Sequence, residues 1–302
     1  MDEFVEVLKE REIGRILENV SLKKYTTYGV GGNAKYMVYP KTIQKLIELL
    51  KICNYRNIKY KILGYGSNTL FSDKEFDGVI IKLDEFNDLK MIGSQTIKVG
   101  AGYSLIRLSL FAAKKNLTGL EFASGIPGSV GGAVFMNAGA YKSDMGYIVK
   151  RIKVLTPDYK VITMTNGELN FHYRTSFLKQ NPGYICLEAT IGLKKGKKDA
   201  ILSVMKDREE QRKGTQPLEY PSAGSVFRNP ETGFAGKMIE DLGLKGLTRG
   251  GAKVSEKHAN FIINVGGATA TDVKTLISLV HDTVKDNYGV DLIIEQEFVN
   301  WE

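Results

Sequence analysis

The chain has 302 residues, of which 43% are hydrophobic and 25% are charged. That length predicts about two domains, and that composition is typical of an ordinary soluble protein. Lysine and arginine number 42 against 34 aspartates and glutamates, a net charge of +8. Such a charge favours anionic ligands in general. No basic run is interleaved with aromatic residues, so solubility explains the excess better than nucleic-acid binding does.

Cysteine and histidine usage argues against a metal centre and against secretion. The two cysteines, Cys53 and Cys186, form neither a metal-ligand spacing nor a disulfide framework, which suits a reducing cytosol. The three histidines are scattered along the chain. Charge from Asp2 onward argues against a signal peptide, and no apolar run approaches the ~20 residues of a membrane span. We therefore expect a cytoplasmic protein without a metal.

Hydrophobic periodicity predicts an alternation of helices and strands in chain order. In the first two thirds we expect a surface helix within 2–18, a helix at 41–53, strands at 58–63, 79–83 and 96–99, a helix N-capped by Ser104, a hairpin of 149–155 with 161–164, a strand at 184–193 and a connecting helix at 199–213. Beyond a boundary near residue 206 we expect a helix at 236–242, a buried strand at 259–265, an amphipathic helix at 271–288 and a last strand at 292–299. Helices and strands are mixed in both halves, which indicates an α+β or α/β fold.

The stretch 119–141 carries five glycines within fifteen residues, from Gly125 to Gly139, with Pro127 fixing one turn. Glycine lets another group approach the backbone closely, and consecutive amides in such turns can form a concave nest for an anion. Apolar residues such as Val134 and Phe135 exclude a flexible linker. We interpret the stretch as a buried loop that faces a diphosphate; tight turns packed in a core explain its glycines equally well.

A second candidate anion site is Gly64-Tyr65-Gly66-Ser67-Asn68, which follows a predicted strand directly. It is not a P-loop, because no Gly-Lys-Ser/Thr follows. It is not the dinucleotide fingerprint, which needs Gly-x-Gly-x-x-Gly at the start of a helix. A hairpin turn is the alternative interpretation.

Six motifs in this order resemble those of the UDP-N-acetylenolpyruvoylglucosamine reductases, the MurB flavoenzymes, over essentially the whole chain. They are Thr-Thr-Tyr-Gly-Val-Gly-Gly at 26–32, Gly-Tyr-Gly-Ser-Asn at 64–68, Gly-Ile-Pro-Gly-Ser-Val-Gly-Gly-Ala through Met-Asn-Ala-Gly-Ala-Tyr at 125–141, Tyr-Arg-Thr-Ser-Phe at 173–177, Ser-Ala-Gly-Ser-Val-Phe at 222–227, and Leu292-x-x-Glu295. The chain resembles the shorter form of the family, which lacks an inserted loop with a substrate-binding tyrosine.

The resemblance implies an α+β fold: a two-subdomain FAD-binding fold of the vanillyl-alcohol-oxidase/PCMH type plus a C-terminal α+β substrate-binding domain. We expect FAD-binding subdomains at 1–86 and 87–205 and a substrate-binding domain at 206–302, with the strand 292–299 returning to the active site. The chain is expected to be a monomer that takes small-molecule substrates and binds neither nucleic acid nor membrane.

The resemblance also implies which residues bind non-covalent FAD. These are Tyr28, Gly64, Tyr65, Gly66, Ser67, Asn68, Gly125, Ile126, Pro127, Gly128, Ser129, Gly131, Gly132, Ala133, Asn137, Ala138 and Gly139. Tyr173, Asn229, Arg228 and His258 are expected to bind the substrate, although His258 could equally have a core or surface role. NADPH is the expected reductant.

By the same resemblance, Arg174, Ser225 and Glu295 are the expected catalytic residues. A guanidinium offers a two-pronged donor to the substrate carboxylate, Ser225 would donate a proton to C2, and Glu295 would assist there. Each residue also has a non-catalytic interpretation. Arg174 could form a surface ion pair, Ser225 could belong to a turn or cap, and Glu295 could be a solvated carboxylate. Glu297 would share a strand face with Glu295, and only the Leu-x-x-Glu spacing selects Glu295.

Two other functions are compatible with parts of the sequence. An alcohol or sugar oxidase on the same flavin fold often tethers its flavin through His or Cys, and neither residue type occurs within 64–68 or 125–141. A non-enzymatic nucleotide- or nucleic-acid-binding protein is suggested only by the net charge, and steeply salt-dependent binding to generic DNA would support it.

Overall fold

The computed structural model describes residues 2–302, which form two compact units. Unit 1 contains the residues up to Glu18, Tyr36–Gly64 and Asp77–Glu209. Unit 2 contains Asn19–Lys35, Tyr65–Phe76 and Glu210–Glu302. The chain therefore changes unit near the predicted boundary at 206, and two short earlier segments also belong to unit 2. The division into three domains at 86/87 and 205/206 stays a prediction.

Within residues 2–302, eight α-helices are present. They are α1 (Glu3–Glu10), α2 (Ile43–Tyr55), α3 (Leu105–Lys114), α4 (Val130–Met136), α5 (Phe177–Gln180), α6 (Lys198–Thr215), α7 (Ala235–Asp241) and α8 (Ala270–Tyr288).

The strands of the first half are β1 (Gly14–Ser21), β2 (Asn33–Pro40), β3 (Tyr60–Ile62), β4 (Thr69–Phe71), β5 (Phe76–Ile81), β6 (Leu89–Gly93), β7 (Thr96–Gly100), β8 (Leu117–Thr118), β9 (Gly139–Ala140) and β10 (Ser143–Asp144). Those of the second half are β11 (Val149–Leu155), β12 (Val161–Thr165), β13 (Ile185–Gly192), β14 (Lys194–Lys195), β15 (Thr248–Arg249), β16 (Ala252–Val254), β17 (Ile262–Asn264) and β18 (Glu297–Val299).

Unit 1 is built around the five-stranded antiparallel sheet β12-β11-β13-β7-β6. Its centre is β13, in which Ala189 pairs with Ile152 on one side and with Val99 on the other. These three residues are buried in one core together with Val134 of α4. The sheet thus supplies the rigid base for the loops on either side of α3 and α4. The predicted hairpin of 149–155 with 161–164 is confirmed.

Unit 2 packs α8 in a core with the three-stranded sheet β15-β16-β17. Val273, Leu276, Val280 and Val284 recur at helical spacing along α8 and are all buried. A separate parallel pair joins β18 to β4, with Glu297 opposite Thr69. That pair fixes the segment after Asn68 beside the segment after Glu295.

Three predicted elements were wrong. The helix within 2–18 ends at Glu10, and β1 begins at Gly14, because Glu12 takes a positive φ of 48° that stops the helix. The 119–141 stretch is not all loop, since it contains α4. The last strand spans only Glu297–Val299, so Glu295 precedes it and does not share a strand face with Glu297.

No helix within residues 2–302 has both the length and the apolar composition needed to cross a bilayer.

The first turn of α8 is capped twice, which yields a stability prediction. Thr269 and Asp272 form a capping box, and the Asp73 carboxylate accepts from the amides of Ala270 (2.9 Å) and Thr271 (2.8 Å). Asp73→Ala leaves two helix amides without that acceptor, so we expect the free energy of unfolding to fall by about 1 kcal/mol.

Urea denaturation measures this loss. The matched control is Asp286→Ala in the same helix, where the exposed side chain makes no hydrogen bond within residues 2–302. Equal stability of the Asp73→Ala variant and the wild type would contradict a capping role for Asp73.

Candidate active-site residues

The 125–133 loop of unit 1 is organised by Ser129, which caps α4. The Ser129 hydroxyl accepts from the Gly132 amide at 3.3 Å. The amides of Val130 and Gly131 donate to the carbonyls of Tyr103 (2.9 Å) and Ala101 (2.8 Å). These three amides are therefore already used for packing, contrary to our expectation that the whole loop faces a ligand.

Two other amides of this loop remain available for an anion. Neither the Gly128 nor the Ser129 amide donates a hydrogen bond to any acceptor within residues 2–302. Gly64 lies against the same place, since a Cβ added there would be 2.7 Å from the Ser129 hydroxyl. The two glycine-rich motifs therefore meet at Gly64 and Ser129, and backbone donors of this kind bind phosphates.

A buried lysine that sequence reasoning missed supports Gly64. The Lys82 side chain is only 5% exposed, its ammonium donates to the Gly64 carbonyl, and it lies 3.4 Å from the Asp84 carboxylate. Burial lowers the pKa of Lys82, while Asp84 opposes that shift. The available signal was a lysine inside the otherwise apolar run 79–83.

The rest of the first motif lies in unit 2 and is closely packed at Gly66. Gly66 has φ 64°, and a Cβ there would be 2.0 Å from the Tyr25 carbonyl, so only glycine is tolerated. Its carbonyl accepts from the Thr27 amide at 3.1 Å. The Gly66 and Ser67 amides donate to no acceptor in the described part of the chain. They are a second pair of backbone donors available to an anion.

Asn68 connects the first motif to Glu295 within unit 2. Its side-chain amide donates to the Glu295 carbonyl at 3.1 Å, and its own carbonyl accepts from the Glu297 amide at 2.8 Å. The Glu295 amide in turn donates to the Val226 carbonyl at 2.8 Å. Both backbone polar groups of Glu295 are thus fixed.

Ser225 lies next to this contact, in a short bridge with Phe261. The structure therefore brings Ser225 and Glu295 together through the intervening residue Val226. The Ser225 side chain is partly exposed, and its hydroxyl makes no hydrogen bond within residues 2–302. A hydroxyl in that state is available to a ligand.

Arg174 of unit 1 lies in a tight turn closed by reciprocal backbone hydrogen bonds of 3.1 Å between His172 and Thr175. Its φ is 56°, in the left-handed region that non-glycine residues rarely adopt. Backbone outliers of this kind cluster at functional sites. Its guanidinium donates to the Gly139 carbonyl at 2.7 Å and lies 5.1 Å from the centre of the Tyr173 ring. The turn therefore presents a fixed and permanent positive charge.

Other residues of the motifs hold this turn in place. The Asn137 side chain donates to the His172 carbonyl at 2.8 Å and accepts from the Gly146 amide at 2.9 Å. The Ser176 hydroxyl donates to the Phe135 carbonyl at 2.7 Å. Asn137 is 2% exposed and its side-chain amide is occupied, so its observed contribution is to position the Arg174 turn.

Tyr28 is a candidate for which the structure indicates a different role. It is 0% exposed in the core of unit 2, and its hydroxyl donates to Gln296 at 3.1 Å. A residue without exposed surface offers no contact to a cofactor, so we reassign Tyr28 from cofactor binding to packing.

The remaining cofactor candidates differ in exposure. Tyr65 (40%), Pro127 and Gly132 are exposed, Ala133 is buried at 4%, and Gly125, Ile126 and Ala138 are half-buried.

The four substrate candidates also differ. Tyr173 is 51% exposed. The Arg228 amide donates to the Ile293 carbonyl, and the exposed Asn229 accepts from the Ala235 amide at 3.2 Å through its side-chain oxygen. His258 packs on Phe261 at 4.7 Å between ring centres, and burial lowers its pKa.

Comparison with known proteins defines the class of this protein. A model of an FAD binding domain matches residues 34–165, the region that contains both glycine-rich motifs. A model of the C-terminal domain of UDP-N-acetylenolpyruvoylglucosamine reductases matches residues 216–299. The fold is thus that of an FAD-binding oxidoreductase.

Full-length relatives define the family. The chain is 45% identical over 299 residues to a UDP-N-acetylenolpyruvoylglucosamine reductase from Bacillus licheniformis and 47% identical over 299 residues to one from Anoxybacillus flavithermus, covering 99% of both sequences in each comparison. The chain belongs to the UDP-N-acetylenolpyruvoylglucosamine reductase (MurB) family.

Solved structures agree with this placement. The crystal structure of the MurB enzyme from Thermus caldophilus matches 94% of this chain and 98% of its own, with a TM-score of 0.81 and 38% identity. The glucose dehydrogenase Phl p 4.0202 matches 65% of this chain and 45% of its own, with a TM-score of 0.50 and 13% identity, a likeness of fold alone. The predicted α+β FAD-binding fold with a MurB C-terminal domain is confirmed.

The packing of Gly131 yields a prediction about FAD binding. A Cβ at Gly131 would be 2.9 Å from the Ala101 Cβ, so Gly131→Ala must displace the start of α4. Overpacking costs about 1–3 kcal/mol. If about 1.4 kcal/mol of that cost reduces the free energy of FAD binding, the Kd for FAD rises tenfold. We expect at least that loss in a titration of apoprotein with FAD.

Gly167→Ala is the matched control, since a Cβ there has no heavy atom within 4 Å among the described residues outside its neighbours. Unchanged FAD affinity in Gly131→Ala would show that the start of α4 does not contribute to the cofactor site.

Proposed function

We propose that this chain catalyses the NADPH-dependent reduction of UDP-N-acetylglucosamine enolpyruvate to UDP-N-acetylmuramate, a precursor of peptidoglycan. The likeness to full-length relatives supports the reaction. The observation that carries the proposal is the adjacency of an unbonded serine hydroxyl, Ser225, and a fixed carboxylate residue, Glu295, in unit 2. A proton donor and a carboxylate are the groups needed where the enol ether gains its proton.

FAD would be held in part by available backbone donors. We assign the Gly128 and Ser129 amides to its diphosphate, and Gly66 and Ser67 stay proposed FAD-binding residues by the family resemblance. Neither His nor Cys lies within 64–68 or 125–141, so the cofactor is bound non-covalently. When bound, FAD would supply the hydride chemistry between NADPH and C3 of the enol ether, and the protein would supply orientation and electrostatics.

Arg174 would bind the substrate carboxylate. Hydride addition at C3 builds negative charge at C2 that spreads into this carboxylate, so the attraction of a guanidinium grows toward the transition state. The turn around Arg174 is held by Asn137 and Gly139, which limits the reorganisation needed at that moment.

Ser225 would donate the proton to C2. A hydroxyl is a weak acid, but a carbanion-like enolate is a strong base, so the transfer is favourable. Glu295, held one residue away, would assist the electron shift or the path of the proton. Tyr173, Arg228, Asn229 and His258 are proposed to bind other parts of the substrate, Arg228 and Asn229 its diphosphate.

We also propose that the protein is a cytoplasmic monomer that binds no nucleic acid and associates with no membrane. Equilibrium sedimentation of the FAD-loaded protein tests the monomer.

Replacing Arg174 by Lys keeps the charge but removes the planar, two-pronged donor. We expect turnover with the enolpyruvyl sugar to fall by about 10²-fold or more, with FAD content unchanged. Steady-state rates and the flavin-to-protein absorbance ratio measure the two quantities.

The matched control is Arg151→Lys on the exposed side of β11. Turnover in Arg174→Lys equal to that of the control would remove the carboxylate-binding role.

Replacing Ser225 by Ala should separate the two halves of the reaction. Bleaching of flavin absorbance by NADPH needs no proton donor at the substrate, so its rate should be unchanged. Recovery of that absorbance on adding the enolpyruvyl sugar should slow by about 10²–10⁴-fold, as expected for loss of a general acid. Ser225→Cys should recover part of the rate.

Stopped-flow absorbance measures both phases, with Ser203→Ala on the exposed side of α6 as the control. Equal slowing of both phases would indicate a folding or binding role, and no slowing would place the proton donor elsewhere.

A further inference from the structure

Gln296 is a buried polar residue between two acidic neighbours, Glu295 and Glu297. Its exposed fraction is only 5%, whereas both neighbours are partly exposed. Burying an amide side chain is unfavourable unless its donors and acceptor are satisfied. The hydrogen-bond partners of its side chain therefore indicate which segment of the structure Gln296 supports.

Both ends of the Gln296 amide are bonded within unit 2. The oxygen accepts from the Tyr28 hydroxyl at 3.1 Å, and the nitrogen donates to the carbonyls of Ala223 at 3.3 Å and Gly224 at 3.5 Å. Ala223 and Gly224 are the two residues immediately before Ser225. Tyr28, which is fully buried, fixes the orientation of the amide because its hydroxyl must find an acceptor.

The residues after Ser225 are held from the opposite side by Asn260. The Val226 amide donates to the Asn260 carbonyl at 2.9 Å. The Asn260 side chain, itself 4% exposed, accepts from the Phe227 amide at 3.0 Å and donates to the Phe227 carbonyl at 2.8 Å. Ser225 is therefore the partly exposed residue of a segment whose flanks are fixed on both sides.

Gly224 is the point at which this segment could move. It has φ 75°, and no heavy atom lies within 4 Å of a Cβ added there among the described residues beyond its neighbours. Its backbone is thus free of side-chain packing on that face. The Gln296 amide nitrogen donates to the carbonyls of both Ala223 and Gly224 and thereby restrains the backbone on either side of Gly224.

We propose that Gln296, oriented by the Tyr28 hydroxyl, is a positioning residue that holds Ser225 at the distance from the substrate that proton transfer requires. The inference rests on the proposed function of Ser225. Its physical basis is that a displacement of about 1 Å in a reacting group can cost about 10²-fold in rate. Gln296 also follows Glu295 directly, so one short segment places both the carboxylate and the support for the hydroxyl.

The test uses FAD-loaded full-length protein and two variants. Gln296→Leu removes all three hydrogen bonds at similar volume. Tyr28→Phe removes only the hydroxyl and keeps the ring. We expect recovery of flavin absorbance by the enolpyruvyl sugar to slow by about 10²-fold in Gln296→Leu and less in Tyr28→Phe, while the NADPH bleaching rate and the FAD content stay within about twofold of wild type.

Tyr36→Phe is the matched control, because Tyr36 is another buried tyrosine, in unit 1, whose hydroxyl donates to the Asp2 carboxylate. Hydrogen–deuterium exchange followed by mass spectrometry supplies a readout independent of activity. Exchange in a peptide covering 222–228 should accelerate in Gln296→Leu and be unchanged in Tyr36→Phe, because the variant removes the hydrogen bonds that restrain the Ala223 and Gly224 carbonyls at the start of this peptide.

A double-mutant cycle separates this inference from the role of Ser225. If Gln296 acts through Ser225, adding Gln296→Leu to Ser225→Ala should slow the second phase little further. Additive slowing would overturn the inference, as would equal slowing of both phases. Faster exchange without any slowing would overturn it too. If Ser225→Ala alone has no effect, the proposed function of Ser225 fails, and slowing in Gln296→Leu would then refute the route through Ser225.

Discussion

The hydrogen bond from the Glu295 amide to the Val226 carbonyl is the contact on which the arrangement of unit 2 depends. It joins a C-terminal segment to a loop almost 70 positions earlier in the chain, and it places a carboxylate residue next to a serine. Asn68 fixes the other backbone group of Glu295, and the β4–β18 pair continues the same junction. Three distant stretches of sequence are thereby fixed to one another, and Ser225 lies beside the residue that bonds Glu295.

In unit 1, too, a candidate catalytic residue is held in place by hydrogen bonds from a segment distant in the chain. The turn that carries Arg174 is unusual in its backbone, and its conformation is maintained by side chains of the Met-Asn-Ala-Gly-Ala-Tyr motif, chiefly Asn137. The motif that resembles a cofactor loop therefore also supports the turn of Arg174, the arginine proposed to bind the substrate carboxylate. Besides its glycine-rich loop, the stretch thus contains a capped helix, α4, and a buried asparagine, Asn137, that supports the Arg174 turn.

The sequence predicted what depends on local pattern. The helix α8, the hairpin β11–β12 and the Ser104 cap of α3 follow from periodicity and capping chemistry. The division of amides at 128–132 into free and bonded ones could not be predicted, because the acceptors of the Val130 and Gly131 amides lie on residues distant in the chain, Tyr103 and Ala101. No sequence pattern singled out Gln296, whose partners Tyr28 and Ala223 are distant in the chain. The short pair β4–β18 gives no periodic signal, because each strand has three residues.

The central claim is that the enzyme reduces an enol ether by adding hydride at C3 and a solvent-derived proton at C2 through Ser225. The most direct measurement is proton NMR of the product formed in D₂O from NADPH and the enolpyruvyl sugar. The account predicts deuterium at C2 of the lactyl group, so that its methyl resonance loses coupling to a C2 proton. A product that keeps hydrogen at C2, or consumption of oxygen without a lactyl product, would contradict it.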